Sequence, residues 1–264
     1  MVSAIEDIEF LAGSAYRADS IREMVKGPCD RDTLREVTGA SNVTIARLLN
    51  ELEERNWVER NGHQYELTDP GRFVAEAFID LADLVETEQI LRKVWQYLPT
   101  ELPNFSIGLF QDAVITFTEP GSQYEPIPRT VELIESADTM RLASKRLPKK
   151  GSLEAITRNA ADGMKTTLIF PAEVVNEFLE SIRVDAVRNA VQERTLTIME
   201  RDSFPTDSTL VLYDDRIGLY CRDELGVTRF SIDTDGPEAY RWGAALYEDV
   251  LSGATPVDRL ERAF

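Results

Sequence analysis

Residues 57–67, WVERNGHQYEL, alternate apolar and polar side chains around a single Asn61-Gly62 step. Asn-Gly between alternating runs favours a two-residue type I′ turn, because both central positions need positive φ. A hairpin is predicted, with Trp57, Val58, Tyr65 and Leu67 facing a core and Arg60, Asn61 and His63 at the tip. Immediately upstream, Ile45, Leu48, Leu49 and Leu52 fall at i, i+3, i+4 and i+7, the apolar stripe of a helix that Ser41 can cap. DRDTLREVTG supplies the helix before it, with Asp30 or Asp32 as N-cap and Gly39 as its stop. Two further helical patterns, AIEDIEFLAG and SIREMVKGP, each end on glycine. Short helices, a glycine turn, a longer helix and then a hairpin leave few small folds open.

The face of the 41–55 helix opposite the apolar stripe carries Asn42, Thr44, Arg47 and Asn50, mostly in its N-terminal half. Arginine pairs with guanine O6 and N7, and asparagine with adenine N6 and N7. A helix end with unpaired N–H groups near Ser41 favours a phosphate, and Arg35 is placed to support one. A solvated polar face of a structural helix accounts for the same residues.

The segment RDTLREVTGASNVTIARLLNELEERNWVERNGHQYELTDPGR resembles the winged helix-turn-helix domains of archaeal transcriptional regulators, the haloarchaeal ones above all. The pattern T-x-x-R-x-L-x-x-L-E-x-x-x-W-V runs from Thr44 to Val58. The resemblance implies a DNA-binding domain over 1–69. Its recognition helix, 41–55, would enter the major groove, with a wing over 57–67 on the adjacent backbone or minor groove. Arg35, Ser41, Asn42, Thr44, Arg47, Asn50, Arg60, Asn61 and His63 are the expected DNA contacts. Asn56 stands where many relatives have glycine, and asparagine tolerates positive φ.

From Gly71 the chain runs without Gly or Pro to Leu98, so one connector helix is expected over 70–98. Val74, Ala77, Leu81, Leu84, Glu88, Leu91, Trp95 and Leu98 follow steps of three and four, a heptad-like seam that suits a homodimer. Phe73 and Phe78 widen the apolar face, which equally permits packing within one chain. LPTELPN, 98–104, reads as a linker.

Residues 105–264 read as an α/β domain. GLFQDAVITF, TMRLAS, TTLIFP, TLTIME, STLVLYDDRIGLYCR and VTRFSID are expected strands, the late ones as antiparallel hairpins. RTVELIESA, LEAITRNAADG, AEVVNEFLESI and EAYRWGAALYEDVLSG are expected helices, followed by a short tail. The element order, with RLAS and YDDRIGLYCR, resembles the middle domain of the methanogenesis regulator family, which is distantly like half a phospholipase D. That chemistry needs a histidine nucleophile beside a lysine, and the only histidine, His63, lies in the wing. No phosphate loop or G-x-S-x-G elbow occurs, and a turn explains Asp214-Asp215 more simply than paired catalytic carboxylates. No enzyme activity, cofactor or metal is expected. Ser144, Lys145, Arg146, Phe170, Tyr213, Tyr220 and Arg222, at strand ends and on the late hairpin, are the candidate receptors for a small anionic metabolite.

The chain has 47 acidic against 29 basic residues, a formal charge of −18, and only six lysines. This suits a salt-rich cytoplasm, where repulsion is screened over a few Å, although an ordinary acidic protein has the same composition. No apolar run reaches the roughly 20 residues of a membrane span, the N-terminus lacks the features of a secretion signal, and Cys29 and Cys221 read as reduced thiols of a cytoplasmic protein. The expected function is a DNA-binding transcriptional regulator acting on double-stranded DNA. The alternative is a winged-helix interaction module that docks a transcription-machinery partner through Glu51, Glu53, Glu54 and Glu59.

Overall fold

The structure, a computed structural model, describes residues 3–118, 128–181 and 184–257. It divides into two compact units, Met1–Gln89 and Ile90–Phe264.

The first unit opens with α1 (Ala4–Ala12), where the Ser3 and Glu6 side chains each accept from the other's backbone N–H in a capping box. Helix α2 (Ala15–Lys26) leads to a two-residue strand, β1 (Cys29–Asp30). Asp30 caps α3 (Arg31–Thr38) by accepting from Thr33 N, and Gly39 ends the helix at φ 67°. Ser41 caps α4 (Asn42–Glu54), and Asn56 takes φ 56° beyond its end, the conformation that asparagine permits. Strands β2 (Val58–Asn61) and β3 (Gln64–Leu67) follow.

The turn differs from expectation by one residue. Asn61 pairs with Gln64, so Gly62 and His63 form the loop, and of these only Gly62 has positive φ. That is the φ pattern of a type II′ turn, which needs glycine at its first central position, rather than type I′. The inward side chains are unaffected, and Val58, Tyr65 and Leu67 are buried. β1 adds to β3, giving a three-stranded sheet in the order β1-β3-β2. Met24, Leu34, Ile45, Leu48, Leu49, Leu52 and Tyr65 pack beneath it in the core of a winged helix.

Helix α5 (Asp69–Leu91) is shorter than the 70–98 span expected, and a 3-10 helix takes over at Arg92–Tyr97. Leu91, Val94 and Leu98 are buried in the core of the second unit. Leu102 is buried as well, so 98–104 is packed chain rather than an extended linker. Of the last seam positions, Leu91 and Leu98 therefore serve the second unit's own core, whereas Trp95 is 41% exposed.

In the second unit, a 3-10 helix at Ile107–Phe110 replaces the first half of the long strand expected at 108–117, leaving β4 (Val114–Phe117). Then come α6 (Pro128–Ser136), β5 (Thr139–Ala143), α7 (Lys150–Ala161), β6 (Lys165–Phe170), α8 (Ala172–Ser181) and α9 (Val184–Gln192). They are followed by β7 (Leu196–Glu200), β8 (Thr209–Tyr213), β9 (Arg216–Arg222), β10 (Thr228–Thr234), α10 (Pro237–Ser252) and β11 (Thr255–Pro256). Ile182, expected to end a helix, and the tail from 258 lie outside the described residues.

Among the described residues, eight strands form one sheet in the order β11-β7-β6-β5-β8-β9-β10-β4. β5, β6 and β7 are parallel, as helical crossovers require, and the pairs from β5–β8 through β10–β4 are antiparallel. Alternation along β8 sends Val211 and Tyr213 to one face and Leu210 and Leu212 to the other. The first face is covered by α6 to α9, the second by α10 and the 3-10 segments. No helix among the described residues is long and apolar enough to cross a membrane.

Candidate nucleic-acid interface and anion pocket

On the first unit, the outward side of α4 carries Asn42, Arg47 and Asn50, all exposed. Thr44 is half-buried and tied to the cap: its N–H donates to Ser41 Oγ at 3.2 Å, and the two hydroxyls lie 2.9 Å apart. Ser41 thus serves first to start the helix. Val43, absent from the sequence-based set, is 79% exposed at the second helical position. Such an apolar side chain matches a thymine methyl in a major groove. Its apolar character disguised it, since a polar-face search passes over valine.

The arginines divide into two groups. Arg35 pairs with Asp32 at 3.0 Å, Arg47 with Glu51 at 3.0 Å, and Arg55 with Asp7 at 3.0 Å. Arg31 and Arg60 converge instead on Tyr65. Arg31 donates to the Tyr65 hydroxyl at 3.1 Å, and the two guanidinium carbons lie 5.6 and 5.8 Å from its ring centroid. Arg60 also donates to the Gly62 carbonyl at 2.9 Å, which holds it along the hairpin beside exposed Asn61 and His63. Among the described residues neither Arg31 nor Arg60 pairs with a carboxylate, so two uncompensated charges flank the wing. Arg31 was missed by sequence reasoning. β1, which brings its helix beside β3, is too short to leave a periodic signal.

The second unit gathers part of the predicted ligand set. Tyr213, Tyr220 and Arg222 line one cavity of about 50 Å³, with Met140, Leu142, Ile156 and Val211 among its walls. Arg146 and Arg222 share an adjoining chamber of about 200 Å³ with Lys149 and Gly226. The Tyr213 and Tyr220 hydroxyls meet at 2.9 Å, and burial raises both above the ordinary tyrosine pKa. Arg222 donates through Nη1 to Thr209 Oγ1 at 2.6 Å and to the Asp207 carbonyl at 3.4 Å. Burial, and then the like charge of Arg146, lower Arg222 to about 10.

The remaining predicted residues have structural duties. Buried Ser144 shares a 2.7 Å hydrogen bond with Thr209 and accepts from Arg146 N at 3.2 Å, so it braces the site from behind. Lys145 pairs with Asp207 at 2.8 Å and holds that carboxyl below its usual range. Phe170 is fully buried against Phe178, with ring centroids 6.2 Å apart, and belongs to the core rather than the pocket. A strand-end position alone does not distinguish an inward from a pocket-facing aromatic. Thr209, Thr228 and Lys149 were not foreseen, because Thr209 and Thr228 meet only through the pairing of β8, β9 and β10, and Lys149 joins them from the loop after β5. Asp214 accepts from the N–H groups of Asp138 and Thr139 and from Thr139 Oγ1, so it fastens a turn.

Comparison with known proteins agrees with this division. Residues 5–90 match the family model of the HVO_A0261 N-terminal domain, and residues 123–253 that of the middle domain of the methanogenesis regulatory protein FilR1. No curated protein matches the chain. Among solved structures, the archaeal chromatin protein TrmBL2 is similar at 17% identity and TM-score 0.44, over 97% of this chain and 100% of that one. NucT from Helicobacter pylori follows at 13% and 0.43, over 55% of this chain and 98% of its own. Nuc from Salmonella typhimurium, a phospholipase D family member, aligns at 10% and 0.40, over 55% and 97%. The chain thus matches an HVO_A0261 N-terminal domain model and then a FilR1 middle-domain model, in that order.

Proposed function

We propose that the chain is a sequence-specific, DNA-binding transcriptional regulator without catalytic activity, acting as a homodimer in a salt-rich cytoplasm. Helix α4 enters the major groove, Asn42, Val43, Arg47 and Asn50 meet base edges, and Arg31 and Arg60 hold phosphates beside the wing. The second unit senses a small anionic metabolite. The observation that carries this reading is the exposed polar face of α4 beside a hairpin flanked by two arginines that, among the described residues, lack carboxylate partners. That the second unit matches the middle domain of a regulatory protein supports it.

The test is capture of genomic DNA fragments by the purified protein in roughly molar KCl, where counterion release contributes least. Wild type and Arg47→Ala are compared, with the recovered fragments sequenced. A shared motif enriched by wild type and lost in the variant is expected. Enrichment by neither protein would overturn DNA reading and favour a protein partner, for which exposed Glu54 and Glu59 offer an acidic docking face.

A further inference from the structure

The two chambers of the second unit adjoin, since both are lined by Lys149, Arg222 and Thr228. The inner chamber is walled mainly by Ile134, Met140, Leu142, Ile156 and Val211, and its two tyrosine hydroxyls satisfy each other. The outer chamber is cationic. Arg222 uses only Nη1 internally, leaving Nε and Nη2 without a hydrogen-bond partner among the described residues. Arg146 lies against Gly226, where an added Cβ would come within 2.4 Å of its Cζ. Neither arginine pairs with a carboxylate among the described residues, and the Asp207 carboxylate is engaged by Lys145. The two like charges thus share one chamber, and the carboxylate that both feel, Asp207, is already paired with Lys145.

We propose that this cavity receives a short-chain aliphatic carboxylate, its head bound by Arg146 and Arg222 and its tail in the inner chamber. The proposal rests on the sensing reading above and gives the ligand its chemical class. A planar carboxylate fits the arginine fork through paired N–H bonds and relieves the repulsion between the two guanidinium groups. Inorganic phosphate would satisfy the arginines and leave the apolar chamber unfilled. A neutral hydrocarbon would fill the chamber and leave the charges uncompensated. The inner volume of about 50 Å³ has room for roughly four water-sized groups, which sets the tail at about three or four carbons.

The experiment is calorimetric titration of the full chain with acetate, propionate, butyrate and valerate, alongside inorganic phosphate and neutral butyramide. Affinity is expected to rise about fourfold for each methylene until the chamber is full. Butyramide should not bind, and phosphate should bind more weakly than butyrate. Arg222→Met and Arg146→Met should each weaken butyrate about ten- to a hundredfold. Should Arg222→Met fail to fold, the exposed Arg146 carries the test. Phosphate binding as tightly as butyrate, an affinity independent of chain length, or no saturable binding by any carboxylate would overturn the proposal. No DNA is present in the titration, so failed DNA capture leaves this result readable. Selective DNA capture without carboxylate binding would strike this inference alone.

Discussion

Arg47 Nε donates to Glu51 Oε1 at 3.0 Å, one turn further along α4. The other oxygen of Glu51 accepts from Arg17 Nη2 at 3.3 Å, so the carboxylate is fixed from two sides. An arginine held in this way must exchange an internal partner for a guanine. At low salt Glu51 competes for it and repels the DNA. In molar salt the screening length falls to about 3 Å and that repulsion is muted. Glu51→Gln should therefore tighten operator binding at low salt by up to about fivefold, the range of an exposed ion pair. The gain should shrink in molar KCl. Fluorescence anisotropy over a KCl series measures this, and equal affinities at low salt would remove Glu51 as a competitor.

Phosphate contacts set the steepness of the salt response, each adding about one to the slope of log affinity against log salt. Only Arg31 and Arg60 stand beside the wing without carboxylate partners among the described residues, which predicts a shallow slope of about −2 for each half-site, or about −4 for a dimer on a palindrome. Arg31→Ala and Arg60→Ala should each remove about one from its magnitude per half-site, and Arg35→Ala, already paired with Asp32, less. A slope near −6 or steeper in wild type would sink the account of a salt-adapted DNA reader.

Local signals made the first unit readable. Gly39 and Asn56 stand at positive φ where their residue types permit it, and the stripe of Ile45, Leu48, Leu49 and Leu52 is fully buried. The hairpin register slipped by one because Asn-Gly satisfies type I′ and glycine alone satisfies type II′, and only the pairing of Asn61 with Gln64 decides between them. In the second unit the strands announced themselves as apolar runs, but α9 did not. Its Val187, Ala190 and Val191 make too short a stripe to stand out from loop. The pocket was half legible. Tyr213, Tyr220 and Arg222 lie on one hairpin, whereas Arg146 and Lys149 join them from the loop after β5, a contact made only by the folded sheet.

Gly71 packs so closely on Trp57 that an added Cβ would sit 1.8 Å from the Trp57 carbonyl oxygen. This is backbone against backbone and has no flexible side chain to yield. Alanine is normally the better helix former by about 1 kcal/mol. Here Gly71→Ala should instead destabilise the winged helix by about 1–3 kcal/mol, the overpacking range. Urea unfolding followed by Trp57 fluorescence reports it, and unchanged or raised stability would show that α5 can move away at no cost.

Both cysteines are buried, and burial raises Cys29 to about 11 and Cys221 to about 12. Glu23 and Asp30 add to the shift at Cys29. An unfolded thiol titrates near 8.5, so at pH 8 the folded chain should alkylate more slowly than the denatured chain by about two orders of magnitude at Cys29 and about three at Cys221. Because the folded state binds these protons more tightly, their linkage favours folding below about pH 8.5. That contribution is lost as pH rises towards the folded values. Iodoacetamide labelling followed by mass spectrometry checks both sites, and rapid native labelling at pH 8 would show that the units open readily.

The expected seam on the connector helix is divided by the fold. Val74 packs against the winged-helix core, while Leu91 and Leu98 are buried in the core of the second unit. Of the seam, Leu81 stays 54% exposed, and Val85, outside the seam but one turn further along the same side of α5, is 45% exposed. Large apolar side chains four residues apart, with Phe73 and Ile90 also exposed on the same helix, are where a second copy gains most. Full burial of each contributes about 1.5–3 kcal/mol. Leu81→Glu, with Val85→Glu as a second variant, should therefore convert a dimer to monomer in sedimentation velocity while leaving the thermal transition of the winged helix unchanged. Affinity for a palindromic operator should fall with dimerisation, and affinity for a single half-site should stay the same. A wild-type chain that sediments as a monomer at every concentration would assign α5's exposed residues no role in self-association.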